Sequence, residues 1–164
     1  MTSPHLVNDQ MQQALKIVGC YAEEGGIELV GPKAALSTFS ELIESESLPI
    51  QITLYVPKNI SPKPYDLFLT NVQILDTDNA VVVNREGSSL IISGSADNLS
   101  MLANSIFQLV DRDNVPGNIQ PHSHIEYYEG HFYLDSTALP LVVISIAEEE
   151  PDTWLVKHSS GSEG

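Results

Sequence analysis

The chain has few positive charges. Among its 164 residues it has seven Lys and Arg against 22 Asp and Glu, which gives a formal net charge of −15. Because nucleic acids and anionic membranes are bound through clustered cations, this composition argues against both as partners. A basic protein, in contrast, would be attracted by the negative field and would associate quickly. The alternative interpretation is that the negative charge serves only solubility.

Cysteine and long apolar runs are also scarce. Cys20 is the single cysteine, which excludes an intrachain disulfide framework and a cluster of thiolate metal ligands. No apolar stretch approaches the roughly 20 residues of a membrane-spanning helix. Residues 1–5 lack the basic and apolar regions of a secretion signal. We therefore expect a cytoplasmic protein with no membrane association.

A pattern of strand and helix positions occurs twice in the chain. Residues 26–31 (GIELVG) run into a helical pattern, and residues 89–94 (SLIISG) run into another. A short strand and an amphipathic helix place apolar positions in one core, so the repeat predicts two copies of a small unit. When Gly31 is aligned with Gly94, the coinciding apolar residues are Ile27, Leu29, Leu36, Phe39 and Ile43 with Leu90, Ile92, Leu99, Leu102 and Ile106.

These patterns predict an α+β fold. We expect two related strand–helix–strand–strand units packed as one body, with helices covering one face of an antiparallel sheet. An N-terminal unit is assigned to residues 1–87 and a C-terminal unit to residues 88–147. Residues 148–164 are acidic and end in SSGSEG, which predicts a disordered tail. Within this tail, Trp154 and Leu155 are expected to dock on the body.

Local patterns complete the expected architecture. A stripe of Met11, Leu15 and Val18 indicates a short helix before the first repeat. The sequence DTDN at residues 76–79 is typical of a hairpin turn between two strands. Apolar patterns predict further strands over residues 50–56, 122–128 and 141–146, the last of them in the interior of a sheet.

The sequence HSHIE at residues 122–126 has the composition of a metal site. Period-two alternation would place His122, His124 and Glu126 on one face of a strand. Two imidazoles and a carboxylate can ligate zinc or ferrous iron, and His131 is close enough in sequence to complete the site. The other interpretation is a row of histidines that faces solvent or a partner. Because the matching strand of the first repeat (IQITLYV) has no such ligands, our primary expectation is no metal and no other cofactor.

No pairing of a nucleophile with a base stands out in the sequence. Cys20 has no histidine near it in a recognisable motif and is expected to be a small buried residue. Ser93, Gly94 and Ser95 do not form the Gly-x-Ser-x-Gly elbow of a hydrolase and are better suited to cap the following helix. The sequence therefore does not favour an enzyme that uses a nucleophilic side chain.

The segment around the histidines is also rich in aromatic and acidic residues. Four aromatic residues lie between residues 127 and 133, and exposed aromatics often anchor protein interfaces. We expect a partner-binding face formed by His124, Glu126, Tyr128, Glu129 and His131.

The order of motifs in the second half of the chain resembles a known family. The motifs are a strand ending in Ser93-Gly94, the helix sequence NLSMLA (98–103), Pro-Gly (116–117), His-x-His-x-Glu (122–126), Ser136 and the apolar strand LVVI (141–144). Over residues 88–146 this order is similar to that of bacterial immunity-protein family 32, from polymorphic toxin systems. Two features differ: Glu126 stands where the family pattern has aspartate, and an additional N-terminal unit precedes the match.

The resemblance implies a small α+β domain that binds and neutralises a cognate toxin without catalysis. We expect a basic, nuclease-like toxin, because an acidic inhibitor can fill the basic active site of a nuclease. The alternative is a metal-binding module or metal-dependent enzyme that uses the His-x-His-x-Glu strand, with His122, His124, Glu126 and His131 as ligands.

Overall fold

A computed structural model describes residues 5–6, 14–110, 121–147 and 150–161. Three helices and ten strands occur in this part of the chain, which confirms the α+β class. No helix in the described ranges is long and apolar enough to cross a membrane. In chain order the elements are β1 (His5–Leu6), β2 (Val18–Ala22), β3 (Gly26–Pro32), α1 (Lys33–Ile43), β4 (Ile50–Thr53), β5 (Leu67–Leu69), β6 (Asn71–Asp76), β7 (Val82–Glu86), β8 (Ser89–Gly94), α2 (Ala96–Val110), β9 (His122–Ile125), β10 (Leu141–Ile146) and α3 (Pro151–Gly161).

The strands form two mixed sheets. Sheet 1 has the order β1-β4-β6-β8-β7, and sheet 2 has the order β5-β2-β3-β10-β9. The pairs β1–β4, β6–β8 and β3–β10 are parallel, and the other pairs are antiparallel. The expected antiparallel sheet is therefore wrong, because each long helix carries the chain from one sheet to the other. Helix α1 leads from β3 in sheet 2 to β4 in sheet 1, and α2 leads from β8 in sheet 1 to β9 in sheet 2.

Each sheet combines strands from both copies of the repeat. The hairpin β2–β3 lies beside β10 and β9 in sheet 2, and the hairpin β7–β8 lies beside β6 and β4 in sheet 1. The two arrangements have the same register, so the fold is pseudo-symmetric. Each half contributes a hairpin to one sheet and two strands that follow its long helix (β4 and β6, or β9 and β10) to the other sheet. The division into units at residues 1–87 and 88–147 stays a prediction. The matched triplets of paired residues are Ile52–Val72–Leu90 in sheet 1 and Ile125–Leu141–Ile27 in sheet 2.

The repeated positions form the core. Each of the ten apolar residues aligned by the repeat is at most 1% exposed. Helices α1 and α2 pack against each other, and their apolar stripes join the inner faces of both sheets in one cluster. The aligned glycines are similarly crowded: an added Cβ would lie 2.9 Å from Ile17 at Gly31 and 3.0 Å from Val81 at Gly94. A side chain at Gly31 would force a neighbouring segment to shift, and one at Gly94 would press tightly on Val81, because another segment passes directly against each junction.

The predicted hairpin at residues 76–79 does not form. β6 has β4 and β8 on its two sides, so β7 pairs with the other side of β8 through a turn at Gly87, whose φ is 58°. The 76–79 segment instead lies at the start of α2. There Thr77 N–H donates to Gly94 O and Ser95 N–H donates to Asn79 O, each at 2.9 Å.

The helix predicted before the first repeat is also wrong where the chain is described. Leu15 forms a parallel bridge with Leu54, and Val18 begins β2. The pairing of this segment with the end of β4 overrides its helical periodicity. Met11 lies outside the described residues. The strand predicted over residues 122–128 ends at Ile125, whereas the interior position of β10 is confirmed.

Part of the predicted disordered tail is a helix. α3 spans Pro151–Gly161, and Trp154 is 8% exposed. Trp154 packs with Leu155 against Val30 and Ile146 of sheet 2, as the sequence led us to expect. The acidic composition indicates disorder on average, but the packing of Trp154 and a hydrogen bond from the Tyr55 hydroxyl to Asp152 Oδ2 (2.7 Å) hold the helix to the body.

Substituting Gly31 should destabilise the fold far more than substituting a glycine that has open space around its Cα atom. In Gly31→Ala the new Cβ would lie 2.9 Å from Lys16 O and from Ile17 Cγ1, so the backbone must shift. We expect a loss of about 1–3 kcal/mol in the free energy of unfolding, measured by denaturant titration. Gly25→Ala is the matched control, because its Cβ would meet only Ala22, at 4.0 Å. Equal losses in the two variants would contradict the crowding argument.

Candidate partner-binding site

The candidate site begins at the edge of sheet 2. β9 pairs with β10 on one side, and no described strand pairs with its other side. His122 and His124 alternate with Ser123 and Ile125, so both imidazoles are exposed while Ile125 is buried. The two imidazole rings are arranged edge to face, with centroids 5.1 Å apart.

The site continues in a loop that the first half of the chain lacks. Leu54 and Leu134 form equivalent parallel bridges, one after β4 and one after β9. Leu54 lies two positions after Ile52, whereas Leu134 lies nine positions after Ile125, the equivalent of Ile52. The connection after β9 is therefore seven residues longer than the connection after β4. The additional residues are 126–132 (EYYEGHF), which we call the 126–132 loop.

A tight turn shapes this loop. His131 N–H donates to Tyr128 O at 2.9 Å, and Gly130 has a φ of 88°. A positive φ at the third position of a four-residue turn is typical of type II turns and favours glycine. Glu129 occupies the second position and is exposed at the tip.

His131 holds the loop in shape. Its Nδ1 accepts hydrogen bonds from the backbone N–H groups of Tyr133 (3.2 Å) and Leu134 (3.1 Å). The imidazole stacks on Phe132, and its centroid lies 4.7 Å from that of Tyr128 and 4.6 Å from that of Tyr133. Burial lowers the pKa of His131, so the neutral imidazole, which alone can accept these bonds, is favoured.

Tyr133 anchors the end of the loop in the core. Its side chain is 5% exposed, and its hydroxyl shares a hydrogen bond with Ser105 Oγ of α2 at 3.1 Å. Val81 N–H donates to Tyr133 O at 2.8 Å. Burial raises the pKa of Tyr133. The loop therefore leaves a strand at one end and enters the core at the other, which restricts its conformations.

The loop exposes large aromatic side chains. Tyr127 is 38% exposed, Tyr128 60% and Phe132 69%. Single exposed aromatics are ordinary on protein surfaces, but three within six residues form a local apolar surface of the kind that marks interaction sites.

The residues predicted to bind a partner lie on this surface. His124, Glu126, Tyr128 and Glu129 are exposed, and His131 is partly exposed. His124 Nδ1 and Glu126 Oε1 are 3.9 Å apart with both side chains more than half exposed, so this pair contributes little to stability. No Lys or Arg occurs from residue 121 to residue 141, so the fixed charges of this segment are all acidic. Their role in binding stays a prediction.

The geometry does not support the metal alternative. Glu126 follows the end of β9, and its Oε1 atom lies 3.9 Å from His124 Nδ1, which is more than the usual separation of two ligand atoms on one tetrahedral zinc ion. The Nδ1 atom of His131 already accepts two backbone hydrogen bonds. Across the described ranges, no group of three or more His, Cys, Asp and Glu is arranged to hold a metal ion.

Sequence reasoning missed a second polar cluster on sheet 2. Glu28 and Cys20 are direct cross-strand neighbours, and Tyr65 donates a hydrogen bond to the Glu28 carboxylate. Burial raises the pKa of Glu28 and raises that of Cys20 to about 12, so the thiol stays protonated. Cys20 is buried, as predicted. Glu28 lies between two core residues of β3, so the sequence pattern indicates that its side chain is on the opposite face of the sheet. The pattern does not indicate that this side chain is buried.

No family model, no curated protein and no solved structure matches this chain.

Acidification should loosen the 126–132 loop. Because the pKa of His131 is lowered in the folded protein, its stabilising contribution is present above about pH 6.5 and is lost as the pH falls through the folded value. We expect the hydrogen-exchange protection factors of the Tyr133 and Leu134 amides to fall over that range. In His131→Asn, the Oδ1 atom can accept the same bonds without titrating, so protection should persist. Constant protection in the wild-type protein from pH 7 to pH 5 would contradict this role.

Glu28→Gln should stabilise the protein at neutral pH. Since burial raises the pKa of Glu28, the folded state favours the protonated carboxyl, and stability decreases as the pH rises from about 4.3 through the folded value. Glutamine removes this titration and can still accept from Tyr65. We expect a higher melting temperature at pH 7 and a smaller gain at pH 4, measured by circular dichroism. Exposed Glu23→Gln on the same hairpin is the control, and a loss of stability in Glu28→Gln at pH 7 would refute the argument.

Proposed function

We propose that this chain is a cytoplasmic immunity protein, which binds and neutralises a cognate toxin without catalysing a reaction. The resemblance of residues 88–146 to immunity-protein family 32 motivates the proposal. The observation that carries it is the 126–132 loop, an ordered aromatic and acidic surface at the place where the two pseudo-symmetric halves differ.

The internal bonds of the loop favour tight binding. A loop that is already ordered loses less conformational entropy when a partner binds, so more of the contact energy appears as affinity. The hydrogen bonds at His131 and the buried anchor at Tyr133 provide that order. In this arrangement Tyr128 and Phe132 are the candidate anchor residues, because large aromatic side chains contribute most of the binding energy in many interfaces.

The charge of the chain favours a basic toxin. A nuclease active site is positively charged because it must bind phosphates, so it attracts acidic side chains. Glu126 and Glu129 flank the exposed aromatics with no cation near them in sequence. The overall charge of −15 would add long-range attraction and raise the association rate.

A genetic experiment identifies the partner. The gene next to the one that encodes this chain should encode a secreted protein with a C-terminal toxin domain. Expression of that domain should arrest bacterial growth, and co-expression of this chain should restore it. The two proteins should then co-purify as a stoichiometric complex. Persistent growth arrest despite abundant, folded chain would refute the proposal.

Reversing two charges on the loop should weaken the complex. In Glu126→Lys with Glu129→Lys, we expect affinity for the neighbour-encoded toxin domain to fall at least roughly tenfold, mainly through slower association. The measurement is stopped-flow binding at low and high salt, and the salt dependence of the association rate should also decrease. Glu41→Lys with Glu46→Lys makes the same change of net charge on exposed residues in and after α1. An equal effect of both pairs would assign the result to overall charge and exclude the loop as the interface.

A further inference from the structure

The outer edge of β9 has a backbone position open to a partner. In sheet 2, Ser145 N–H donates to Pro121 O at 2.9 Å. This bond fixes which residues of β9 form hydrogen bonds with β10, because hydrogen-bonded and non-hydrogen-bonded pairs alternate along the two antiparallel strands. By that alternation, the backbone N–H and C=O groups of Ser123 and Ile125 point toward β10. The backbone N–H and C=O groups of His124 point away from β10. No described strand pairs with His124 on that side.

The pseudo-symmetric position in sheet 1 already holds an added strand. The equivalent of His124 is Gln51, because Ile52 in β4 corresponds to Ile125 in β9. Gln51 likewise faces away from its antiparallel neighbour, and β1 pairs with it in parallel, with Leu6 opposite Gln51. The fold therefore accommodates an extended segment at the outer edge of β4, the strand that follows α1 and is equivalent to β9.

The surroundings of the β9 edge indicate the chemistry of its occupant. Glu126 and Glu129 follow the strand, and no Lys or Arg occurs from residue 121 to residue 141. A second copy of this chain is a poor occupant, since each copy has a net charge of −15. A positively charged segment is complementary, and the exposed rings of Tyr128 and Phe132 can contact its side chains.

We propose that β9 binds an extended, positively charged segment of a protein partner as an added parallel strand, paired through the backbone of His124. This inference deepens the proposed function, on which it rests for the identity of the natural partner. The binding mode is strand addition, in which backbone hydrogen bonds provide affinity and neighbouring side chains provide selectivity.

The test uses a phage-displayed library of random 12-residue peptides as the probe, so it does not depend on the toxin. Peptides selected on the full chain should be extended and rich in Lys and Arg. A synthetic copy of a selected peptide should raise the hydrogen-exchange protection of the His124 amide at least tenfold. Failure to select any peptide, or selected peptides that leave the His124 amide unprotected, would overturn the proposal.

A pair of variants isolates the backbone donor. Proline is tolerated in edge strands where its missing N–H would face outward, so His124→Pro removes the donor without removing a bond to β10. His124→Val keeps the donor, removes the imidazole and suits a strand. We expect the selected peptide to bind His124→Val at least tenfold more tightly than His124→Pro, with both variants folded by circular dichroism. Equal affinities would overturn the proposal, and if His124→Pro fails to fold, the amide protection in the wild-type chain decides.

The same variants separate this inference from the proposed function. If the neighbour-encoded toxin domain binds His124→Pro as tightly as His124→Val, the strand-addition mode is wrong while immunity can still hold. If the peptides protect the His124 amide but no neighbouring toxin exists, the immunity function is wrong while the edge is still a peptide-binding site.

Discussion

The parallel pairs β3–β10 and β6–β8 are the contacts on which this fold depends. Each joins a strand from one copy of the repeat to a strand from the other, so neither complete sheet consists of one copy alone. The inner faces of both sheets share one apolar cluster with α1 and α2, and this cluster also requires both copies. Because these contacts are distant in sequence, the chain loses much conformational entropy before they form. We infer that the two copies fold as one cooperative body.

Chain segments approach each other closely at two aligned glycines, one in each copy of the repeat. Gly31 and Gly94 lie at the ends of equivalent strands, and at each of them another segment passes so closely that an added Cβ would meet it at about 3 Å. The segment at Gly31 includes Ile17, and the segment at Gly94 includes Val81, which precede equivalent hairpin strands. The same steric constraint therefore acts twice, which is physical support for the repeat beyond the similarity of apolar positions.

Sequence patterns predicted which residues are buried better than they predicted which strands pair. Periodicity identifies the face of a strand or helix that meets the core, so Leu36 and Leu102 are buried as predicted. Periodicity says nothing about the neighbour of a strand, and the exchange between sheets and the parallel pairs were missed for that reason. The exposure of Glu126, Tyr128 and Glu129 was predicted from composition, whereas that of Phe132 was not. The fixed shape of the 126–132 loop was not predicted either, because it depends on the acceptor Nδ1 of His131 and on contacts of Tyr133 with α2.

The difference between two nearly equivalent halves is the strongest indication of where the molecule acts. In the first half, the outer edge of β4 is paired with β1, and a short connection leads to the bridge at Leu54. In the second half, the backbone of His124 has no paired strand in the described ranges, and seven additional residues present Tyr128 and Phe132 to solvent. Stability does not require this arrangement, since the equivalent strand of the first half has a paired edge and a short connection in its place, and exposed rings beside an open edge increase the risk of aggregation. A partner that covers such features best explains why the chain has them, since the fold can omit them and they carry a risk of aggregation. The comparison of the two halves therefore indicates that a partner binds at the β9 edge and the 126–132 loop.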